Sequence, residues 1–61
     1  MNIIQAEQTM TAKHAHIAGA TSEDEALDFA LAYFGESLRR LHYWNVTDYG
    51  DDRMVVSLFT N

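Results

Sequence analysis

Two histidines are the residues in this sequence whose spacing most resembles that of metal ligands. His14 and His16 are separated by one residue. On a β-strand, residues two apart project from the same face, so both imidazoles could reach one ion. A site also needs a third ligand, which His42 or a carboxylate would have to supply, and no spacing connects either to the pair. We therefore interpret the three histidines as ordinary surface residues and expect neither a metal nor a cofactor.

The carboxylates are the other candidates for chemistry, as acid–base pairs. Residues 23–25 are acidic and stand where a helix would begin, a position that favours carboxylates. Asp48 and residues 51–52 surround a turn, where aspartates are common. The sequence contains no Ser/His/Asp order, no Gly-rich phosphate loop and no H-E-x-x-H. A chain of 61 residues also has little volume for a substrate cleft. We expect no enzymatic activity.

The overall charge limits the class of partner. Nine acidic residues against four basic ones give a formal charge of −5. Tyr43, Trp44, Tyr49 and Phe59 could stack on bases, as aromatic residues of small sheets do. Affinity for phosphates normally needs clustered positive charge, so direct binding to nucleic acid or to anionic lipid is not expected. The charge favours either a partner with a basic protein surface or an acidic face that serves only solubility.

Length and composition indicate one small domain spanning residues 1–61. The apolar fraction of 48% is sufficient for a folded core, and the absence of cysteine excludes disulfides and thiolate metal sites. No run of eighteen apolar residues could span a membrane, and the first residues lack the pattern of a signal peptide. We expect a cytoplasmic protein with no membrane partner.

The pattern of residues 22–41 predicts an amphipathic helix around which the rest of the chain is arranged. Ser22 is an N-cap, and Glu25 completes a capping box. Gly35 weakens the pattern, so the helix could end near Phe34 and be followed by a short turn. Phe29 and Tyr33 form a second strip, covered either by the fold or by a partner. The main apolar stripe recurs at steps of three and four and consists of Leu27, Leu31, Phe34, Leu38 and Leu41.

The segments on either side of the helix are predicted to be strands. Residues 1–20 fit two strands separated near Gln8–Thr11, although no turn signal marks the break. A helix capped by Asn2 is the alternative, which would give an ααββ order. Residues 42–47 and 53–60 alternate with a period of two and enclose a turn at Tyr49–Asp52, which predicts a hairpin.

The predicted fold is therefore α+β, with a small antiparallel sheet, one helix across it and the order ββαββ. The predicted core-facing residues of the last hairpin are Trp44, Val46, Met54, Val56 and Leu58. Tyr43, Val55 and Phe59 would then lie on the uncovered sheet face. Exposed apolar faces usually mark interfaces, so these three residues are candidates for a homodimer contact.

The chain as a whole resembles, in type, the small inhibitor proteins of phages and mobile elements, such as anti-CRISPR and anti-restriction proteins. The resemblance lies in the short, acidic, cysteine-free chain with a compact α+β pattern and no catalytic motif. Members of this group bind host nuclease complexes, and some mimic the charge of nucleic-acid phosphates. No residue motif defines the group, so the resemblance implies a kind of function and no functional residues.

The functional hypothesis is a non-enzymatic, phage-encoded inhibitor that blocks a basic nucleic-acid-binding surface of a host defence complex. Carboxylates three or four apart on a helix have Cβ atoms about 5–6 Å apart, which is comparable with phosphate spacing in DNA. A homodimeric structural or assembly protein and a histidine-based metal-binding module are the alternatives. The predicted partner-binding residues are Glu25, Asp28, Phe29, Tyr33, Glu36, Asp48, Tyr49, Asp51 and Asp52.

Overall fold

The computed structural model describes residues 1–60 and confirms the predicted ββαββ order, so the ααββ alternative is wrong. The elements are β1 (Asn2–Gln8), β2 (Ala12–Ala18), α1 (Glu23–Phe34), a 3₁₀ turn (Leu38–Arg40), β3 (Tyr43–Asp48) and β4 (Arg53–Phe59).

The four strands form one antiparallel sheet in the order β1-β2-β4-β3. The two hairpins therefore join through their second strands, and the β2–β4 pairing is the long-range contact that closes the fold. Ala15 lies opposite Val56 at the centre of this pairing. The first and third strands are the two edges, and the first is irregular between Ile3 and Gln5.

The β1–β2 turn uses a signal that the sequence analysis missed. The Thr9 hydroxyl accepts hydrogen bonds from the backbone N–H groups of Thr11 and Ala12, and the Thr9 N–H donates to the Ala12 carbonyl at 2.7 Å. A threonine side chain that bonds to its own backbone two or three residues on can replace a Gly-containing turn.

The helix begins and ends through backbone and side-chain caps. The Ser22 hydroxyl accepts from the Glu25 N–H at 3.1 Å, as the capping box predicts. At the other end, Gly35 adopts φ +69°. The Glu36 N–H then donates to the Leu31 carbonyl and the Gly35 N–H to the Ala32 carbonyl, which together make a Schellman motif. The helix therefore ends at Phe34, the shorter of the two predicted lengths.

The early end of the helix corrects the predicted apolar stripe. Leu38 lies in the 3₁₀ turn and is 47% exposed, whereas Leu41 lies beyond it and packs against the core. Arg39 and Arg40 also belong to the 3₁₀ turn, so they do not neutralise the last turn of α1, which contains no basic residue.

The core lies between the helix and one face of the sheet. Ala26 and Ala30 are fully buried, and these small residues let the helix approach the sheet closely. Trp44 was predicted to belong to the core, but it is 41% exposed. Its side chain points to the helix side of the sheet, but β3 is an edge strand. The buried residues are Ala15, Ile17, Ala26, Leu27, Ala30, Met54, Val56 and Leu58, with Val46 packed against them.

The opposite sheet face carries no layer formed by residues 1–60, and we call it the open face. It is more polar than predicted, because Tyr43, Val55 and Phe59 alternate with hydrophilic side chains, and Val55 and Phe59 are half-buried. By register, the open face includes Gln5, Glu7, His14, His16, Tyr43, Asn45, Thr47, Val55, Ser57 and Phe59. No described helix is long and apolar enough to span a membrane.

Candidate functional site: the two ends of the sheet

The start of the helix and the tip of the β3–β4 hairpin meet at the same end of the molecule. The Gly19 N–H, just beyond β2, donates to the Asp52 carbonyl at 3.2 Å. Helix α1 starts four residues after Gly19, so its first turns lie beside the hairpin tip. We call this region the acidic end, because it holds seven of the nine acidic residues: Glu23, Asp24, Glu25, Asp28, Asp48, Asp51 and Asp52.

Two of these seven carboxylates support the local backbone. Glu25 Oε1 accepts hydrogen bonds from the Thr21 N–H at 2.8 Å and from the Thr21 hydroxyl at 3.2 Å. Asp48 Oδ1 accepts from the Gly50 N–H at 2.9 Å and so stabilises the turn. Asp28 and Asp51 are exposed, which makes them available to a partner.

Tyr49 and Arg53 form a pair at the base of the acidic end. The Arg53 guanidinium lies 5.0 Å from the centroid of the exposed Tyr49 ring, in cation–π geometry. Tyr49, which was predicted to bind a partner, is thus an exposed aromatic side chain at the hairpin tip. Arg53 is the basic side chain that lies at this end of β4.

Two other predicted partner-binding residues, Phe29 and Tyr33, lie farther along α1, away from the acidic end. Phe29 is half-buried and packs against the core, so the fold uses most of its surface. Tyr33 is exposed, but it lies in the last helical turn, edge-on to Phe34 with ring centroids 5.0 Å apart. These two rings, with Ala6, Glu7 and Gln8 of β1, line a shallow cavity of about 240 Å³ at the opposite end.

Glu36 is committed to an internal ion pair. Its Oε2 receives a hydrogen bond from Lys13 Nζ at 2.5 Å, and the two side chains are only 10% and 16% exposed. The Schellman motif turns the chain back toward the sheet and brings Glu36 to this lysine. Oε1 is buried and has no hydrogen-bond partner among the described residues. The phosphate-mimicry hypothesis assumed that the Glu36 carboxylate is displayed to a partner together with Asp28. The ion pair with Lys13 means that it is not.

The lysine also changes the acidity of Glu36. The hydrogen bond from Lys13 holds the pKa of Glu36 below its ordinary value, and the positive charges of Lys13 and Arg40 act in the same direction. Removal from water opposes this by raising the pKa, but it does not prevail.

We call the other end of the sheet the aromatic end. It holds Glu36 together with aromatic and basic residues, namely Lys13, Arg39, Arg40, His42, Tyr43 and Phe59. The Phe59 ring contacts Tyr43 on the neighbouring strand at 5.8 Å and meets His14 edge-on, also at 5.8 Å. A shallow cavity of about 430 Å³ lies here, lined by His42, Tyr43, Asn45 and Phe59.

The histidines do not converge on one point. His14 and His16 share the open face, as their spacing predicts, but His14 Nδ1 is 2.9 Å from the Ser57 hydroxyl and its ring packs on Phe59. His42 immediately precedes β3, and its backbone N–H donates to the Phe59 carbonyl. Within residues 1–60, no three His, Cys, Asp or Glu side chains are grouped as metal ligands.

Comparison with known proteins gives no relative from which a site could be transferred. No family model matches the chain, and neither a curated protein nor a solved structure matches it.

Proposed function

We propose that this protein is a non-enzymatic inhibitor that binds the basic, nucleic-acid-binding surface of a host protein or nucleoprotein complex through its acidic end. The observation that supports the proposal is the Gly19–Asp52 hydrogen bond, which brings the helix start and the hairpin tip, with their carboxylates, to the same end of the molecule. In the sequence these groups are separated by between about a third and a half of the chain.

The charges at this end suit a basic partner. Clustered carboxylates raise the local negative potential, and complementary charge accelerates association and fixes orientation. The binding residues that we propose are Asp28 and Asp51, which are exposed, with the exposed Tyr49 of the hairpin as the aromatic anchor. Aromatic anchors usually supply most of the affinity in such interfaces.

The mode of inhibition follows from the same surface. Carboxylates on one helical face and on an adjacent turn can occupy positions that nucleic-acid phosphates would take in a basic groove. The resemblance to small phage inhibitors of the anti-CRISPR and anti-restriction type agrees with this mode of action and with a host-cytoplasmic location. Glu36 is left out of the proposed surface because Lys13 neutralises it.

A pull-down tests the proposal. The tagged protein, the double variant Asp28→Lys/Asp51→Lys and the control Glu7→Lys are each incubated with host lysate at low and at high salt. Glu7 is exposed and lies at the aromatic end of β1, so the control changes charge outside the proposed site. We expect the wild type and Glu7→Lys to retain a nucleic-acid-processing complex at low salt and to release it at high salt.

Loss of capture only in the double variant supports the proposal. Equal capture by all three proteins would refute it. Circular dichroism of each variant shows whether the fold is intact.

A homodimeric structural or assembly protein is the second candidate function. The contact of Tyr43, Phe59 and His14 on a sheet face that no described element covers favours it. A protein of this kind would be a dimer in solution and would capture no basic partner.

A further inference from the structure

The outer edge of β3 is a strand edge without a partner. Strand β3 pairs with β4 on one side, and in the described part of the chain no strand lies on its other side. Proteins usually protect such edges with lysine, proline or a bulge. β1, the other edge, is interrupted between Ile3 and Gln5. By contrast, β3 is regular from Tyr43 to Asp48 and contains neither lysine nor proline.

The register shows which backbone groups face this edge. Just beyond β3, the Tyr49 N–H donates to the Arg53 carbonyl. Alternate residues of an antiparallel strand bond to the same neighbour, so the odd-numbered residues of β3 bond to β4. Trp44, Val46 and Asp48 therefore direct their N–H and C=O groups outward.

Exposed aromatic side chains lie on both sides of this edge. Trp44 is 41% exposed on the helix side, and Tyr43 is 55% exposed on the open face. The cavity lined by His42, Tyr43, Asn45 and Phe59 lies beside the same strand. A strand added here would cover apolar surface on both faces as well as forming backbone hydrogen bonds.

The charge along β3 points to a second copy of this chain as the occupant. Arg39, Arg40 and His42 come before the strand, and Asp48 and the acidic turn follow it. When two copies of β3 pair in antiparallel orientation, the basic residues before each strand lie beside the acidic residues at the end of the other strand. The edge is therefore self-complementary in charge as well as in hydrogen bonding.

We infer that the protein forms a twofold-symmetric dimer through β3, with Asn45 on the axis. Outward-facing residues then pair, so Trp44 lies opposite Val46 of the partner subunit. The two sheets join into one sheet of twice the width, with both helices on the same side. This dimer uses a different surface from the open-face contact of the second candidate function, and the inference does not depend on the acidic-end proposal.

Disulfide trapping tests the geometry, because the chain has no cysteine of its own. Residues opposite each other in a pair without mutual hydrogen bonds have Cα atoms about 4.5 Å apart, which a disulfide can bridge. Under mild oxidation at neutral pH, we expect Asn45→Cys to give a covalent dimer. Gln5→Cys, which is exposed on β1, and Ser57→Cys, on central strand β4, should remain monomeric on a non-reducing gel.

The trapping result can also overturn the inference. Efficient cross-linking through Ser57→Cys would show packing between open faces, and equal cross-linking of Gln5→Cys and Asn45→Cys would show random collision. Either result contradicts the β3 edge dimer.

Sedimentation equilibrium supplies a test without cross-linking. We expect a wild-type dimer whose dissociation constant rises on the order of tenfold or more in Asn45→Lys, because like charges then face each other across the axis. Gln5→Lys adds the same charge to the other edge and should leave the dimer intact. A monomeric wild type would refute the inference, while loss of partner capture in Asp28→Lys/Asp51→Lys would still support the acidic-end proposal.

Discussion

The acidic end and the aromatic end are made by the same four strands, yet they differ in what their charged groups do. At the acidic end, exposed carboxylates gather around a hairpin tip and a helix start, joined by the Gly19–Asp52 hydrogen bond. At the aromatic end, Glu36 is paired with Lys13 and the surface is formed mainly by rings. Most carboxylates of the acidic end are therefore exposed to solvent, whereas Glu36 at the aromatic end is held in an internal ion pair. This difference is the reason for proposing that a partner binds by charge at the acidic end.

Truncation of buried side chains should give the largest loss of unfolding free energy. The loss should be greater for residues near the aromatic end. Leu58 is fully buried at that end of β4, while Met54 is slightly exposed near the acidic end. We expect Leu58→Ala to cost about 2–5 kcal/mol in unfolding free energy, with Met54→Ala lower in that range because its site relaxes more easily. Urea denaturation followed by the single tryptophan measures both. The exposed Leu38→Ala is the control, and a larger loss for Met54→Ala than for Leu58→Ala would contradict this assignment.

The two glycines that adjoin these ends should tolerate alanine differently. Both have positive φ, +85° at Gly19 and +69° at Gly35. A Cβ at Gly19 would lie 3.1 Å from the Met1 Cα, whereas at Gly35 it would meet nothing within 4 Å. We expect Gly35→Ala to cost about 1 kcal/mol from backbone strain alone, and Gly19→Ala to cost more because the start of β1 must also move. Thermal unfolding compares them, and equal losses would show that the close approach has no energetic consequence.

The two serines that precede helical turns form a similar matched pair. Ser22 accepts a hydrogen bond from the Glu25 N–H, while Ser37 makes no side-chain capping bond to the 3₁₀ turn. We expect Ser22→Ala to cost about 1 kcal/mol of unfolding free energy and Ser37→Ala to cost little. Urea titration of the two variants gives the comparison. A larger loss for Ser37→Ala would mean that the helix start does not depend on its cap.

The Lys13–Glu36 pair predicts a pH dependence that belongs to the aromatic end. The pKa of Glu36 is lower in the folded protein than its ordinary value of 4.5. Its contribution to stability is therefore complete above about pH 4.5 and disappears as the pH falls through the folded value. We expect the stability difference between the wild type and Glu36→Gln to be constant from neutral pH to about 4.5 and to shrink below it. Asp51→Asn, at the exposed end, is the control, and a difference that does not change with pH would contradict the assigned pairing.

The elements of this fold were predictable because each has a local cause. The capping box at Ser22 fixes the helix start, and the alternation around Val56 fixes a strand whose two faces differ. The β1–β2 turn was recognised only as a break, since the Thr9 hydroxyl, and not a glycine, supplies its hydrogen bonds.

The arrangement of the candidate sites was less predictable because it depends on long-range pairing. Glu36 and Lys13 are far apart in the sequence, and nothing local indicates that a Schellman turn brings them together. Trp44 was assigned to the core from its alternation, but strand order places it on an edge where the helix does not cover it. The position of Tyr33 near the aromatic end likewise follows from where the helix begins relative to the sheet.

Hydrogen–deuterium exchange of this protein, alone and with the complex captured in the pull-down, tests the central claim most directly. The account predicts slower exchange in the complex at the helix start and at residues 48–53, with little change at residues 42–45 and 58–60. Slower exchange confined to residues 42–45 and 58–60 would show that the partner binds the aromatic end and would contradict the assignment of the acidic end as the docking surface.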